Sequence, residues 1–540
     1  MAMRVPTAAS VRTPNGCALP NSPAGSHCQG MRALPIILFA AILAGPLTAP
    51  LSQPAPHPRA RAVMDRPEFA HAHWGLEVID VATGRVLASH NGDRLFVPGS
   101  TTKIVTMATA LAVLGPEHRF VTRVVRTGPV VGGVVQGDLV LVASGDPNLS
   151  GRRKPDGTLA FMDRDHSYAG PPLATDPLTV LRGLAAQIAA RGISGLTGQV
   201  LVDASLFEEG ERELGTRVVL SPFVLNDNVI DLLVTPGAAA GAPATLAMSP
   251  RTSYLTVQSR LVTSDSGRPA AITMVEDSTN RDHRVLVVTG SVPRGAPSNP
   301  RWAVPVPSRF GEIVFAEVLA QAGIAATPRL GFRSPPRGTV VVDSLVVAEH
   351  VSVPLLEEAR VLLKTSQNLH ASNMPLLVAA LRNGGDTTRT GFDVAREFLQ
   401  GEGLSLDGAV QGDGAGGDAY FSPRFMTQLL RRIWQRPWAA AFKAAMPQLG
   451  RDGTLAKIQV QAPGAGQVFA KTGTYSSYDP LNRRALVHAK GLAGYFTTRS
   501  GREMAFALYV NNVAVKTGDP AEVAGQALGE IASILWETMP

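Results

Sequence analysis

The 540-residue chain predicts a mixed α+β fold that carries an inserted β-rich region. Three observations predict it. Strand-like alternation follows residue 70 and returns near the C-terminus, and helix-period apolar segments recur between residues 354 and 434. Residues 150 to about 335 instead carry short strand-like runs, many Gly and Pro, and few long helical patterns. With 45% hydrophobic and 17% charged residues, the composition suits a globular protein of roughly two to four domains.

Met31-Arg32 followed by Leu34 to Leu47 reads as the charged and apolar regions of a signal peptide (about 31–50), with small residues for cleavage around Thr48 and Ala49. The apolar run is too short to span a bilayer, so we expect export to the periplasm or another extracytoplasmic space, with at most peripheral membrane contact. Met31 is a candidate translation start; an internally placed signal is the alternative. Residues 1–62 therefore read as leader, signal peptide and a solvated linker rich in Pro and Ala (Pro50 to Ala62). The only cysteines, Cys17 and Cys28, precede the apolar run, which leaves the exported part without a thiol, a disulfide or a Cys-ligated metal.

The formal charge of +7 shrinks to about +2 without Arg4, Arg12, Arg32, Arg59 and Arg61, which precede every acidic residue. Such a mild excess offers no phosphate-binding surface, so nucleic acid is not expected as a partner. Arg152-Arg153-Lys154, the one dense basic cluster, reads as a solvated loop.

The elements follow in order. Trp74 to Asp80 and Arg85 to His90 flank the turn Val81-Ala82-Thr83-Gly84 and read as a hairpin. Ile104 to Leu114 is an apolar helix stopped by Gly115-Pro116. Arg119 to Val130 and Val134 to Ala143 alternate like strands until Gly145-Asp146-Pro147 breaks them. Helical periodicity returns at Pro354 to Leu363, Leu369 to Leu381, Gly391 to Gln400 and Pro423 to Trp434. Gln467 to Thr474, Lys490 to Thr497 and Glu503 to Val510 are three strands, the last two joined through Arg499-Ser500-Gly501. Ala521 to Trp536 closes the chain as a helix with Val523, Ala527, Ile531 and Leu535 at core spacing.

Three short motifs carry the chemistry. Ser100 and Lys103 form an S-x-x-K pair at a helix start, where the i, i+3 spacing puts a hydroxyl and an amine on one face. Ser366-Gln367-Asn368 follows at a helix edge or loop, and Lys471-Thr472-Gly473 follows the apolar strand Val468-Phe469-Ala470. Each motif is common by chance, but the ordered set is much rarer. Ser100 would attack a carbonyl while Lys103, kept neutral by burial and by the nearby cation Lys471, takes its proton. The Ser366 hydroxyl can relay a proton to a leaving amine, and the Asn368 amide can hold a substrate carbonyl. Lys471 and Thr472 suit a terminal carboxylate. Gly473 would clear space for an extended substrate, and the backbone N–H groups of Ser100 and Thr474 would form an oxyanion hole. No metal or organic cofactor is needed.

With these motifs the chain resembles the class C low-molecular-mass penicillin-binding proteins, the D-alanyl-D-alanine carboxypeptidase and endopeptidase family. The likeness extends over nearly everything after residue 70. It includes Leu114-Gly115-Pro116-Glu117-His118-Arg119-Phe120, Gly145-Asp146-Pro147-Asn148-Leu149, Leu225-Asn226-Asp227-Asn228 with Thr235-Pro236-Gly237, and Gly450-Arg451-Asp452-Gly453-Thr454-Leu455. The long stretch between Ser100 and Ser366 fits too, because the family inserts extra domains there. The resemblance implies a penicillin-binding, serine β-lactamase-like transpeptidase fold: an antiparallel sheet sandwiched by helices, split into residues 63–145 and 336–540 around inserted β-rich domains at 146–335. It implies hydrolysis of D-Ala-D-Ala bonds or crosslinks in peptidoglycan stem peptides, through an acyl-enzyme on Ser100 that β-lactams would also form. Carboxypeptidase and endopeptidase action share one site and stay open at this stage, as does the oligomeric state.

The family's D-G-S-G-L-S-R motif is replaced here by Asp413 to Ala419, which puts Ala419 at the position of an arginine that in relatives helps bind the charged end of the diaminopimelate side chain. Asp146 matches an aspartate that contacts the ammonium of the same side chain; it is equally a turn residue before Pro147. Two alternatives remain: a same-fold D-amino-acid peptidase, esterase or β-lactamase, and a non-catalytic wall-binding protein. His71 and His73 lack a third metal ligand, and the glycine-rich stretch Gly412 to Gly417 reads as a plain turn.

Overall fold

The computed structural model describes residues 54–540 except 278–283, 327–337, 385, 387, 516 and 517. The expected signal peptide and both cysteines lie outside the described residues. A five-stranded antiparallel sheet runs in the order Val468–Asp479, Arg484–Thr497, Glu503–Val513, His73–Asp80, Val86–His90, so the first hairpin pairs directly with the final strand.

Period-2 alternation decides what each face of this sheet meets. Leu76, Val78, Leu508 and Val510 face the closing helix Pro520–Thr538, through its Ala527, Ile531 and Leu535. Ile79, Ala505, Ala507 and Tyr509 face the opposite way, into a core shared with the helices Thr102–Leu114, Leu355–Thr365 and Pro423–Trp434. Glu77 is buried on that second face. Thr427 Oγ1 donates to its carboxylate at 2.9 Å and Arg424 Nε at 3.2 Å, which satisfies a charge the alternation alone would leave stranded.

The linker expected up to residue 62 is helical at its end. Pro58–Met64 forms a helix with Ala60, Val63 and Met64 buried against the closing helix. Proline at its first turn and two arginines on its outer side give it the composition of a solvated segment while the i, i+3, i+4 stripe is already present.

The intervening region has its own core. A four-stranded sheet in the order Val346–Val351, Val121–Arg126, Leu139–Val142, Val200–Asp203 packs on two helices, Thr179–Ala190 and Pro307–Gln321. Two three-stranded sheets complete it, one of Thr245–Ser249, Val229–Thr235 and Arg301–Ala303, the other of Leu255–Ser264, Arg284–Pro293 and Ala271–Asp277. Both helices fall where few helical patterns were expected. Leu181, Leu184, Ala185 and Ile188 do keep helical spacing, but flanking Gly and Pro mask so short a run. Strands from both sides of the expected junctions near 145 and 336 share the four-stranded sheet: Phe120 and Leu355 pack in the core beside the five-stranded sheet, whereas Val124 and Val347 pack in the other.

Candidate active site

Ser100 sits in the tight turn Gly99–Thr101 that leads into the helix Thr102–Leu114. The edge strand Val468–Asp479 packs directly on this turn, and two glycines permit the approach. Gly99 holds φ 51°, where a Cβ would stand 2.7 Å from Thr474 N. A Cβ on Gly473 would collide with the Pro98 carbonyl and lie 3.1 Å from Ser100 N. The space kept open at Gly473 is thus occupied by the nucleophile turn rather than left for a substrate, and the same packing brings the backbone N–H groups of Ser100 and Thr474 together.

Ser366 and Asn368 occupy the joint between two helices. Ser366 caps Leu355–Thr365 in the left-handed conformation (φ 64°, ψ 41°), and Gln367 caps Asn368–Arg382 by accepting from His370 N at 3.3 Å. This folds the joint back over the nucleophile. Lys103 Nζ donates to Ser100 Oγ at 2.7 Å, to Asn368 Oδ1 at 2.7 Å and to the Ala415 carbonyl at 3.1 Å. The Asp413–Gly417 stretch is therefore more than a plain turn. The Asp413 carboxylate accepts from Ala415 N and Gly417 N, Thr106 Oγ1 donates to the Gly414 carbonyl, and the loop presents Ala415 to the lysine.

Burial pushes Lys103 down to about 8, against the pull of Asp165, Glu213 and Asp413. The effect expected on Lys103 from Lys471 falls on Lys471 instead: burial first, then Lys103 and Lys490, hold it well below the usual lysine range. Lys471 is wholly buried, and its Nζ donates to the Thr472 carbonyl at 2.8 Å.

A cleft of about 650 Å³ opens over Ser100, lined also by Ser366, Asn368, Thr472 and Thr474. Further residues on it that escaped the sequence reading include Arg164, Asp165, Tyr168 and Lys490. Asp165 accepts from Asn368 N at 2.8 Å, and Asn368 Nδ2 donates to Tyr168 Oη at 3.3 Å, so the inserted region forms one wall of the site. Nothing in their spacing marks these residues; the fold of the insertion brings Arg164, Asp165 and Tyr168 to the motif, and strand register brings Lys490. A hollow of about 790 Å³ between residues 59–66, 457–463 and 526–537 is unrelated, and its Arg59 and Arg66 already pair with Glu537 and Glu530.

Asp146 lies elsewhere. It is buried, its Oδ1 accepts from Asn148 N at 2.9 Å as in a turn, its Oδ2 stands 3.3 Å from His350 Nε2, and it does not line the cleft. Ala419 is likewise buried, in a two-stranded ribbon away from the cleft wall.

Beneath the Ser366–Asn368 joint lies a buried charge cluster. Asp227 receives His370 Nε2 at 2.9 Å, His166 Nδ1 at 2.8 Å and the Arg152 guanidinium; His370 Nδ1 also meets Glu358 at 2.7 Å. Arg152, read as part of a solvated loop, is buried because this carboxylate neutralises it. Burial alone would push the His370 imidazole down, but Glu358 and Asp227 outweigh it and raise it to about 9. Asp227 reaches inward from three successive left-handed residues, Asn226, Asp227 and Asn228, a conformation that Asn and Asp tolerate better than other side chains. Among the described residues no group of His, Cys, Asp and Glu is arranged to hold a metal, and no helix is long and apolar enough to cross a membrane.

The model of the D-Ala-D-Ala carboxypeptidase 3 (S13) family matches residues 60–531. The D-alanyl-D-alanine carboxypeptidase of Actinomadura sp. (strain R39) is 30% identical over 480 residues, 84% of this chain and 80% of the relative. The D-alanyl-D-alanine carboxypeptidase DacB of Haemophilus influenzae is 22% identical over 466 residues, 82% of this chain and 86% of the relative. In the solved structures, penicillin-binding protein 4 (dacB) from Haemophilus influenzae superposes with a TM-score of 0.69 at 19% identity, covering 88% of this chain and 99% of the other. The same Haemophilus protein complexed with a β-lactam gives a TM-score of 0.66 at 18% identity, with the same coverage of both chains.

Proposed function

Since the chain belongs to the D-Ala-D-Ala carboxypeptidase 3 (S13) family and is a serine-type D-Ala-D-Ala carboxypeptidase, we propose that it works through an acyl-enzyme on Ser100, on the stem peptides of peptidoglycan. The observation that carries this reading is the pair of 2.7 Å bonds from Lys103 Nζ to Ser100 Oγ and Asn368 Oδ1, made by an amine whose burial holds it near 8. A lysine so placed takes the hydroxyl proton as Oγ bonds to the carbonyl carbon of the penultimate D-alanine. The carbonyl oxygen gains the negative charge and turns toward the N–H groups of Ser100 and Thr474. Collapse of this intermediate breaks the C–N bond. The leaving D-alanine amine gains a proton through Ser366, and water then hydrolyses the ester and regenerates Ser100.

β-Lactams present a strained amide to the same hydroxyl and are expected to acylate it, as are crosslinked stem peptides that fit the groove. Action on peptidoglycan requires a location outside the cytoplasm, and the apolar run at 34–47 supports export. A fluorescent penicillin tests the proposal. Ser100→Ala should abolish covalent labelling while the protein stays folded, and labelling that persists in this variant would sink the assignment. Parallel turnover of a stem pentapeptide, a D-amino-acid amide and nitrocefin checks the substrate class; rapid nitrocefin turnover without peptide cleavage would point to a β-lactamase instead.

A further inference from the structure

We propose that Lys490 is the cation that receives the substrate's terminal carboxylate, a role the motif reading gives to Lys471. The inference rests on the acyl-enzyme reading of the cleft and names a specificity residue within it.

Strand geometry separates the two lysines. Side chains alternate across the edge strand, so Lys471 and Gly473 share the face turned to the nucleophile turn and Lys103, while Thr472 and Thr474 share the face that lines the cleft. Lys490 on the neighbouring strand pairs in register with Thr474 and therefore joins that second face. Its Nζ donates to Thr474 Oγ1 at 2.8 Å, and Thr472 Oγ1 lies 2.7 Å from Thr454 Oγ1, which puts an ammonium and two threonine hydroxyls along one wall. Lys471, by contrast, is shut away with its proton on the Thr472 carbonyl.

Lys490 has no ion-pair partner among the described residues; burial pushes its amine down to about 8, against the pull of Asp519, which still leaves it a cation at pH 7. The opposite wall is cut back at this spot. Gly525 of the closing helix stands where a Cβ would come within 3.2 Å of Lys490 Cε and 3.5 Å of Nζ, so the glycine keeps space open beside the ammonium. A cation in contact with no carboxylate among the described residues, two hydroxyl donors and a glycine recess form a receptor for one small anion, a carboxylate. The apolar side chains of Leu455, Ile458 and Leu528 line the same cleft and suit the methyl group of a terminal alanine.

The test compares the full-length protein with Lys490→Gln and Lys490→Arg on a peptide ending in D-Ala-D-Ala and on the same peptide ending in a carboxamide. The wild type should prefer the acid by about tenfold or more in kcat/KM, the range of one charge-assisted hydrogen bond. Lys490→Gln should erase that preference, raising KM for the acid about ten- to hundredfold while shifting the carboxamide by less than about threefold. Lys490→Arg should restore most of it. Equal losses on both peptides, no loss on either, an arginine variant as impaired as the glutamine one, or a wild type indifferent to the carboxylate would each overturn the assignment; the last needs no variant to fold. Ser100→Ala is run alongside. If it still hydrolyses the acid, the acyl-enzyme reading fails, and that outcome is separable from any effect at Lys490.

Discussion

A lysine that titrates near 8 is neutral in roughly one molecule in ten at pH 7, enough to act as a base without a metal or a histidine. Because burial lowers the affinity of Lys103 for its proton, the competent base form gains with rising pH. The acylation rate should climb nearly tenfold from pH 6 to pH 7 and level off above about 8; a rate flat across this range, measured with a saturating chromogenic β-lactam, would remove Lys103 from the role. At this scale the sequence was informative where residues are close in the chain or belong to an ordered motif, as with Ser100, Lys103, Ser366, Asn368 and Lys471. It was silent about Lys490. That residue reaches Thr474 only through the register of a hairpin whose turn lies at residues 480–483. Asp146 shows the converse: a residue that matched a motif sits in a buried turn.

At the scale of elements, the site is a seam between one turn and one strand edge, and Gly473 sets how closely they meet. Gly473→Val should leave the sheet paired but force the strand off the Pro98 carbonyl, separating the two backbone N–H groups of the oxyanion site. We expect acylation slowed at least about hundredfold, the usual loss for one such donor, with the circular dichroism spectrum retained; a variant that acylates at the wild-type rate would show that the seam tolerates a side chain. Most element positions followed from periodicity, because long amphipathic helices and alternating strands write their buried faces into the chain. The helix Pro58–Met64 was hidden, since a short helix is stabilised by the surface it docks on rather than by its own composition, and the two helices of the insertion were hidden among flanking Gly and Pro.

At the scale of the whole molecule, Asp227 ties the insertion to the catalytic core, joining His166 and Arg152 on one side to His370 on the other. Asp227→Ala leaves Arg152 buried without its counter-charge and removes one of two carboxylates from His166 and His370, so it should lower stability by about 3–5 kcal/mol, read as a drop in the denaturation midpoint. The raised imidazole gives a second check. His370 holds its proton more tightly folded than unfolded, so its contribution is fully present below about pH 6.5 and is lost as pH rises through about 9. The wild-type midpoint should therefore fall over that window and the fall should be shallower in His370→Gln; parallel curves would exclude the linkage. The pairing of the first hairpin with the last strand bears on how the molecule is made. The turn that carries Ser100 is synthesised long before the strands that complete its surroundings, residues 468–513. Contacts this distant in the chain form slowly. A chain without those strands therefore holds a serine and a lysine but no hydrolase, and the catalyst comes into being only once they pair.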